Sequence, residues 1–158
     1  MTEGATKKRA NGARTAAFWA LRLALGALFV FTGALKLGDP SGFAVEIHNY
    51  QLFPSLAAPM AATLPTIELV LGLALIAGPR AWVRGSALAT GALMLVFTVA
   101  VGSVVVRGIN ISCGCFGAGS GTVTMMTVLR DVALVAACAA VYALAAPRQR
   151  APEAATSR

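Results

Sequence analysis

An all-α, polytopic membrane four-helix bundle is the fold class this sequence predicts, and three observations predict it. The chain is apolar throughout: of 158 residues, 58% are hydrophobic and 12% charged, with mean hydropathy +0.76. A soluble domain carries roughly twice that charged share. Four stretches, at about 15–35, 57–77, 86–106 and 122–146, have roughly the 17–25 apolar residues that a bilayer crossing requires. The basic residues alternate between connections. Lys7, Lys8, Arg9 and Arg14 precede the first stretch, Arg80 and Arg84 separate the second from the third, and Arg148, Arg150 and Arg158 follow the fourth. The other two connections carry only Lys36 and Arg107 near their ends.

Backbone polar groups in hydrocarbon must be satisfied within their own segment, so each stretch is expected to be a helix. Loop lysines and arginines stay on the cytoplasmic side. Both termini and the Gly78–Gly85 turn are therefore expected to be cytoplasmic, and the 36–56 and 107–121 connections extracytoplasmic, in the cell (plasma or inner) membrane. The net charge of +7 is absorbed by this pattern and does not point to nucleic acid. The chain divides into a basic cytoplasmic tail (1–14), a transmembrane domain (15–146) and a second cytoplasmic tail (147–158). Both tails, rich in Ala, Thr, Arg and Glu, read as disordered. The first apolar run is too long for the core of a cleaved signal peptide.

Span one carries Arg22 near its cytoplasmic end, expected to snorkel to the headgroups. In the connection that follows, Phe43, Ile47 and Tyr50 fall at i, i+4 and i+7, while Glu46 and Asn49 lie off that stripe. This is a short amphipathic helix at the membrane interface. His48, the one histidine, reads as a solvated polar residue. Span two contains Pro65, expected to kink or loosen the helix. It also contains Glu68, roughly 17 Å deep at 1.5 Å per residue. Arg130 in span four lies roughly 12 Å deep by the same rise, so a buried Glu68–Arg130 pair is expected. Asp131, about 100° further around its helix, should face elsewhere. Such charges either fix helix register or line a polar cavity beneath the loop that precedes span four.

That loop contains Cys113-Gly114-Cys115-Phe116-Gly117. Two cysteines one residue apart can close a very small ring. An extended i to i+2 step spans roughly 6.6–7.2 Å, at or beyond the usual Cα limit for a disulfide. The backbone must bend, which Gly114 allows. A strained disulfide is labile rather than structural, and it closes almost no loop. Cys113 and Cys115 are therefore the candidate catalytic residues, in thiol–disulfide exchange, with Arg107 placed to favour a thiolate. The rival reading is Cu(I), held by the two thiolates with Met125 and Met126. Zinc spacing is absent. Cys138, roughly 24 Å below the end of its span, reads as a packing residue. With no second pair on the other side, the thiols must work with a partner on their own side or with a lipid-soluble electron carrier. Quinone is the candidate cofactor.

Gly33 and Lys36-Leu37 closing span one, the segment from Phe43 to Pro54, Leu64-Pro65 with Glu68, the Cys113–Gly117 motif and Arg130-Asp131 together resemble the MauE branch of the DoxX-like membrane proteins. The resemblance covers about residues 15–146. It implies a role in maturing the disulfide-rich small subunit of methylamine dehydrogenase alongside a thioredoxin-like partner. It also implies that Cys113 and Cys115 are the redox pair, with Glu68, Arg130 and Asp131 as a supporting polar site. The expected partners are membrane lipid and an extracytoplasmic thioredoxin-fold protein. A non-enzymatic scaffold or assembly factor, and a Cu(I) or small-solute handler, are the alternative functions.

Overall fold

The computed structural model describes residues 2–113 and 121–146. It contains five α-helices: α1 (Thr2–Gly38), α2 (Pro40–Asn49), α3 (Ala57–Ala77), α4 (Arg80–Val106) and α5 (Met125–Leu144). A 3₁₀ turn, Pro54–Leu56, leads into α3. Four segments are long and apolar enough to cross a membrane: Asn11–Gly38, Pro54–Ala77, Arg80–Val106 and Met125–Leu144. Much of their apolar surface faces outward, including Phe31, Val70, Trp82, Val96 and Leu129. In water such a surface would be an aggregation hazard; in a bilayer it is simply solvated. The chain is a multi-pass membrane protein, and the spans match the predicted ones to within a few residues. One correction falls at the N-terminus. Residues 2–14, read as a disordered tail, continue the helix of span one. The tail 147–158 lies outside the described residues.

The close approach of α1 and α3 is made by glycines. A Cβ on Gly33 would stand 2.9 Å from the Pro65 carbonyl oxygen, and one on Gly72 would stand 2.9 Å from that of Gly26. Only a hydrogen fits there, so the two backbones touch, as small residues allow in membrane helices. Pro65 lies buried within α3, which stays helical on both sides of it. At the end of the bundle where α3 turns into α4, Phe18, Leu25, Leu75, Val83, Ala87, Cys138, Val141 and Ala145 form an apolar core. Cys138 is the packing residue its position predicted. At the opposite end Tyr50, Val101, Val104 and Cys113 form a second cluster, closed by Ile109, Ile111, Val123 and Val128.

Three turns set the geometry of that second end. Pro40 begins α2, which forces the break after Gly38. Asp39 caps α2, its carboxylate accepting from Gly42 N (2.9 Å) and from the Ser41 hydroxyl (2.8 Å). These two donors hold the Asp39 carboxyl below the usual carboxylate range, the backbone N–H contributing more. Gly108 closes α4 at φ +65°, a left-handed position that favours glycine. Thr124 and Thr127 form a capping box that opens α5.

Candidate functional site

The cysteine loop leaves and re-enters the bundle through a narrow neck. Ser112 and Thr122 form an antiparallel bridge. Val123 N donates to Ile111 O (2.9 Å) and Cys113 N to Gly121 O (3.3 Å). Cys113 is therefore anchored at this bridge, and it is buried. Cys115 lies outside the described residues.

The helix α2 docks onto this neck instead of lying free in the interface. The Tyr50 hydroxyl donates to the Cys113 carbonyl oxygen at 2.7 Å, and the Ser112 hydroxyl donates to Glu46 Oε1 at 3.1 Å. Phe43 and Tyr50 are buried, as their apolar stripe predicted, and His48 is exposed. Glu46 corrects the expectation. It was placed off the stripe, yet it is buried, with Oε1 accepting from a hydroxyl 66 residues away. Arg107 reaches back to the end of α2. Its guanidinium donates to Tyr50 O (3.1 Å) and to Gln51 Oε1 (3.3 Å), tying down the turn after α2.

The cation beside the thiol is Arg130. Its Nη2 lies 3.7 Å from Cys113 Sγ, and the same nitrogen donates to Asp131 Oδ1 at 2.9 Å. Nε adds a second bond to Oδ1 at 3.1 Å. The expected Glu68–Arg130 pair is thus not formed, and Asp131 does not point away from Arg130. Adjacent helical residues differ by about 100° in direction, but the long arginine side chain folds back across that angle. Glu68 pairs with Lys36 instead, Nζ standing 2.6 and 2.8 Å from its two carboxylate oxygens. Both side chains are buried. Lys36 also lies 5.0 Å from the centroid of the Phe43 ring and 5.3 Å from that of Phe97, in cation–π range. The sequence signal for Lys36 was its position one turn above Gly33, where α1 touches α3.

These charges converge on a small cavity of about 30 Å³. Lys36, Glu68, Arg130 and Asp131 supply its charged walls, and Thr32 adds a hydroxyl. Glu68, Arg130 and Asp131 therefore border one cavity, through pairings other than the expected one. A second cavity, of about 530 Å³, lies between α2, α3 and α4. Its walls are largely apolar, among them Met60, Leu64, Phe97 and Val99, while Glu46, Tyr50 and Cys113 give it one polar edge. Met125 and Met126, the sulfurs invoked for Cu(I), are both exposed.

This geometry belongs to a family that can be named from the chain itself. The model of the family described as "Methylamine utilisation protein MauE" matches residues 14–145, which takes in all four spans and the cysteine loop. The chain belongs to the MauE family. It is 36% identical over 126 residues to the methylamine utilization protein MauE of Paracoccus denitrificans, covering 78% of this chain and 67% of that protein. No solved structure matches it. The MauE match ends at residue 145, so Cys113, Lys36, Glu68 and the Arg130–Asp131 pair all lie inside it.

Arg22 is a further charged group within span one. It was expected to snorkel to the headgroups, but it is buried and turns inward. Its Nε donates to Leu75 O, and its Nη2 donates to Ile76 O (3.0 Å) and Gly78 O (2.7 Å). It therefore satisfies carbonyls that the C-terminus of α3 leaves without intrahelical partners.

Proposed function

We propose that this MauE-family protein works in extracytoplasmic thiol–disulfide metabolism, with Cys113 and Cys115 exchanging disulfides with a thioredoxin-fold partner. The observation that carries the reading is the guanidinium of Arg130 at 3.7 Å from Cys113 Sγ. A fixed cation beside a sulfur favours the thiolate, the form that attacks a disulfide. One thiolate forms a mixed disulfide with the partner, and the neighbouring cysteine resolves it. By family, the client is a disulfide-containing protein of methylamine utilisation such as methylamine dehydrogenase.

The larger cavity supports a lipid-soluble electron carrier as the terminal partner. Its apolar lining and its volume of about 530 Å³ fall within the range of small-molecule sites, roughly 300–1,000 Å³. Cys113 stands in its wall. A quinone fits that chemistry, and when bound it would accept the two electrons released as a dithiol closes to a disulfide.

The test is disulfide trapping in cells. Cys115→Ser, which removes the resolving thiol, is expected to accumulate a mixed disulfide on a non-reducing gel; Cys113→Ser is expected to form none. Full function in cells for both single variants would remove the redox role. The scaffold reading is favoured by the outward-facing Val45, Leu52 and Phe53 in and just after α2. It predicts a cysteine pair whose labelling changes with reductant but never with the partner protein.

A further inference from the structure

The proposed redox role gives Asp131 no task, yet its geometry is unusual. It is 2% exposed, and its Oδ2 has no hydrogen-bond partner among the described residues. A bare carboxylate oxygen in a membrane interior is strongly unfavourable. It borders the cavity of about 30 Å³, and water needs roughly 10–15 Å³ of such space. Oδ1, by contrast, shares one guanidinium nitrogen with Cys113 Sγ, at 2.9 and 3.7 Å. Sulfur and carboxylate thus meet the same guanidinium nitrogen.

One cation therefore faces two groups that can each be an anion. Among the described residues, the remaining charges around Asp131 offer no second cation. Lys36 on α1 is held by both oxygens of Glu68 on α3, α4 contributes only Met94 and Phe97 to the cavity, and Glu46 on α2 is turned to Ser112. Two anions on a single guanidinium would leave a net buried negative charge, so their protons must be linked.

We propose that Cys113 and Asp131 are a coupled pair sharing the charge of Arg130, with Asp131 as the acceptor of the thiol proton. The S–H bond breaks, an O–H bond forms on Asp131, and Arg130 passes from carboxylate to thiolate. No electrons move in this step. When the thiolate attacks a partner disulfide, an S–S bond forms, the old S–S bond breaks, and the departing thiolate takes the proton back from Asp131. Arg130 then returns to the carboxylate. The proposal deepens the redox reading by giving its thiolate a proton acceptor.

The test needs no partner and no redox cycle, so it fails or succeeds separately from the redox role. In the reduced full-length protein in lipid nanodiscs, carrying Cys115→Ser, the rate of iodoacetamide labelling at Cys113 is followed against pH by mass spectrometry. Asp131→Asn is expected to move the midpoint of that curve down by about one pH unit, because the guanidinium no longer faces a competing carboxylate. Arg130→Gln is expected to move it up by a similar amount. An Asp131 that merely braces Arg130 predicts the reverse for Asp131→Asn, or no shift, and either result overturns the proposal. If Asp131→Asn misfolds, infrared spectra of the unsubstituted reduced protein decide. A protonated-carboxyl carbonyl band that persists at pH values where Cys113 is already a thiolate supports the pair, and its absence there overturns it.

Discussion

Lys36–Glu68 and Arg130–Asp131 are both cation–carboxylate pairs in one bundle, yet they are built differently. The first joins two helices, with side chains only 4% and 1% exposed, and uses both carboxylate oxygens. The second joins neighbours on one helix, with Arg130 36% exposed and one carboxylate oxygen left over. A closed pair between helices fixes their register. An open pair with a spare acceptor and a shared donor retains capacity to change partners. The difference separates a bond that holds the bundle from one that is free to take part in chemistry.

The sharpest way to break this comparison is to open the closed pair. Lys36→Met leaves Glu68 charged and unpaired in the bundle, with an expected loss of about 3–5 kcal/mol. Thermal unfolding in detergent should show it as a large drop in Tm, or as loss of the protein from the membrane. Lys36→Met with Glu68→Leu removes both charges and should recover most of that loss. If the double variant is as unstable as the single one, the pair is not what holds α1 to α3.

Arg22 sharpens the comparison because it is a buried cation with no carboxylate. It faces three carbonyl oxygens at the end of α3. Hydrogen bonds to charged groups contribute about 1.5–3 kcal/mol, so Arg22→Met should destabilise by about that much, less than Lys36→Met. Amide exchange should rise first in the last turn of α3. Arg130→Gln should cost less than Lys36→Met, because more than a third of Arg130 meets solvent and the glutamine amide keeps a donor for Asp131. A loss as large as that from Lys36→Met would mean that the open pair is structural after all.

The four spans were legible because bilayer thickness dictates length, and length survives in a linear sequence. The docking of Phe43 and Tyr50 was legible from helical spacing. The pairing of Glu68 was not. Counting residues gives depth in the membrane, whereas the choice between Lys36 and Arg130 depends on which helices touch. Side chains lean toward the N-terminus of their own helix. In the antiparallel pair α1 and α3 this moves Lys36 down the bundle and Glu68 up it until they meet. Gly26, Gly33 and Gly72 brought the helices close enough, a signal present in the sequence but weak in a chain so rich in glycine. Arg22 was misread for the same reason, since its carbonyl partners belong to a helix packed beside it. Glu46 was misread because its partner, Ser112, lies in a connection with no periodicity to place it.

The smallest effect concerns an anion met by a backbone N–H and a hydroxyl. Asp39 is exposed, and its charge is met by Gly42 N–H and the Ser41 hydroxyl at the start of α2. These donors favour the charged form, so the folded carboxyl titrates below the usual value of about 3.9. The sign follows from that. The cap contributes fully above the ordinary carboxylate range and is lost as pH falls through the lowered folded value. Asn is an equally good cap and does not titrate, so Asp39→Asn should match the unsubstituted protein at neutral pH. The two should diverge only in acid, where the Asp39 protein alone frays at the start of α2. Amide exchange at Gly42 and Phe43, measured near neutral pH and again below about pH 4, reads the difference directly. Identical acid protection in both proteins would show that Pro40 and the buried Phe43 hold the turn without the charge, placing Asp39 outside the set of anions that matter to this bundle.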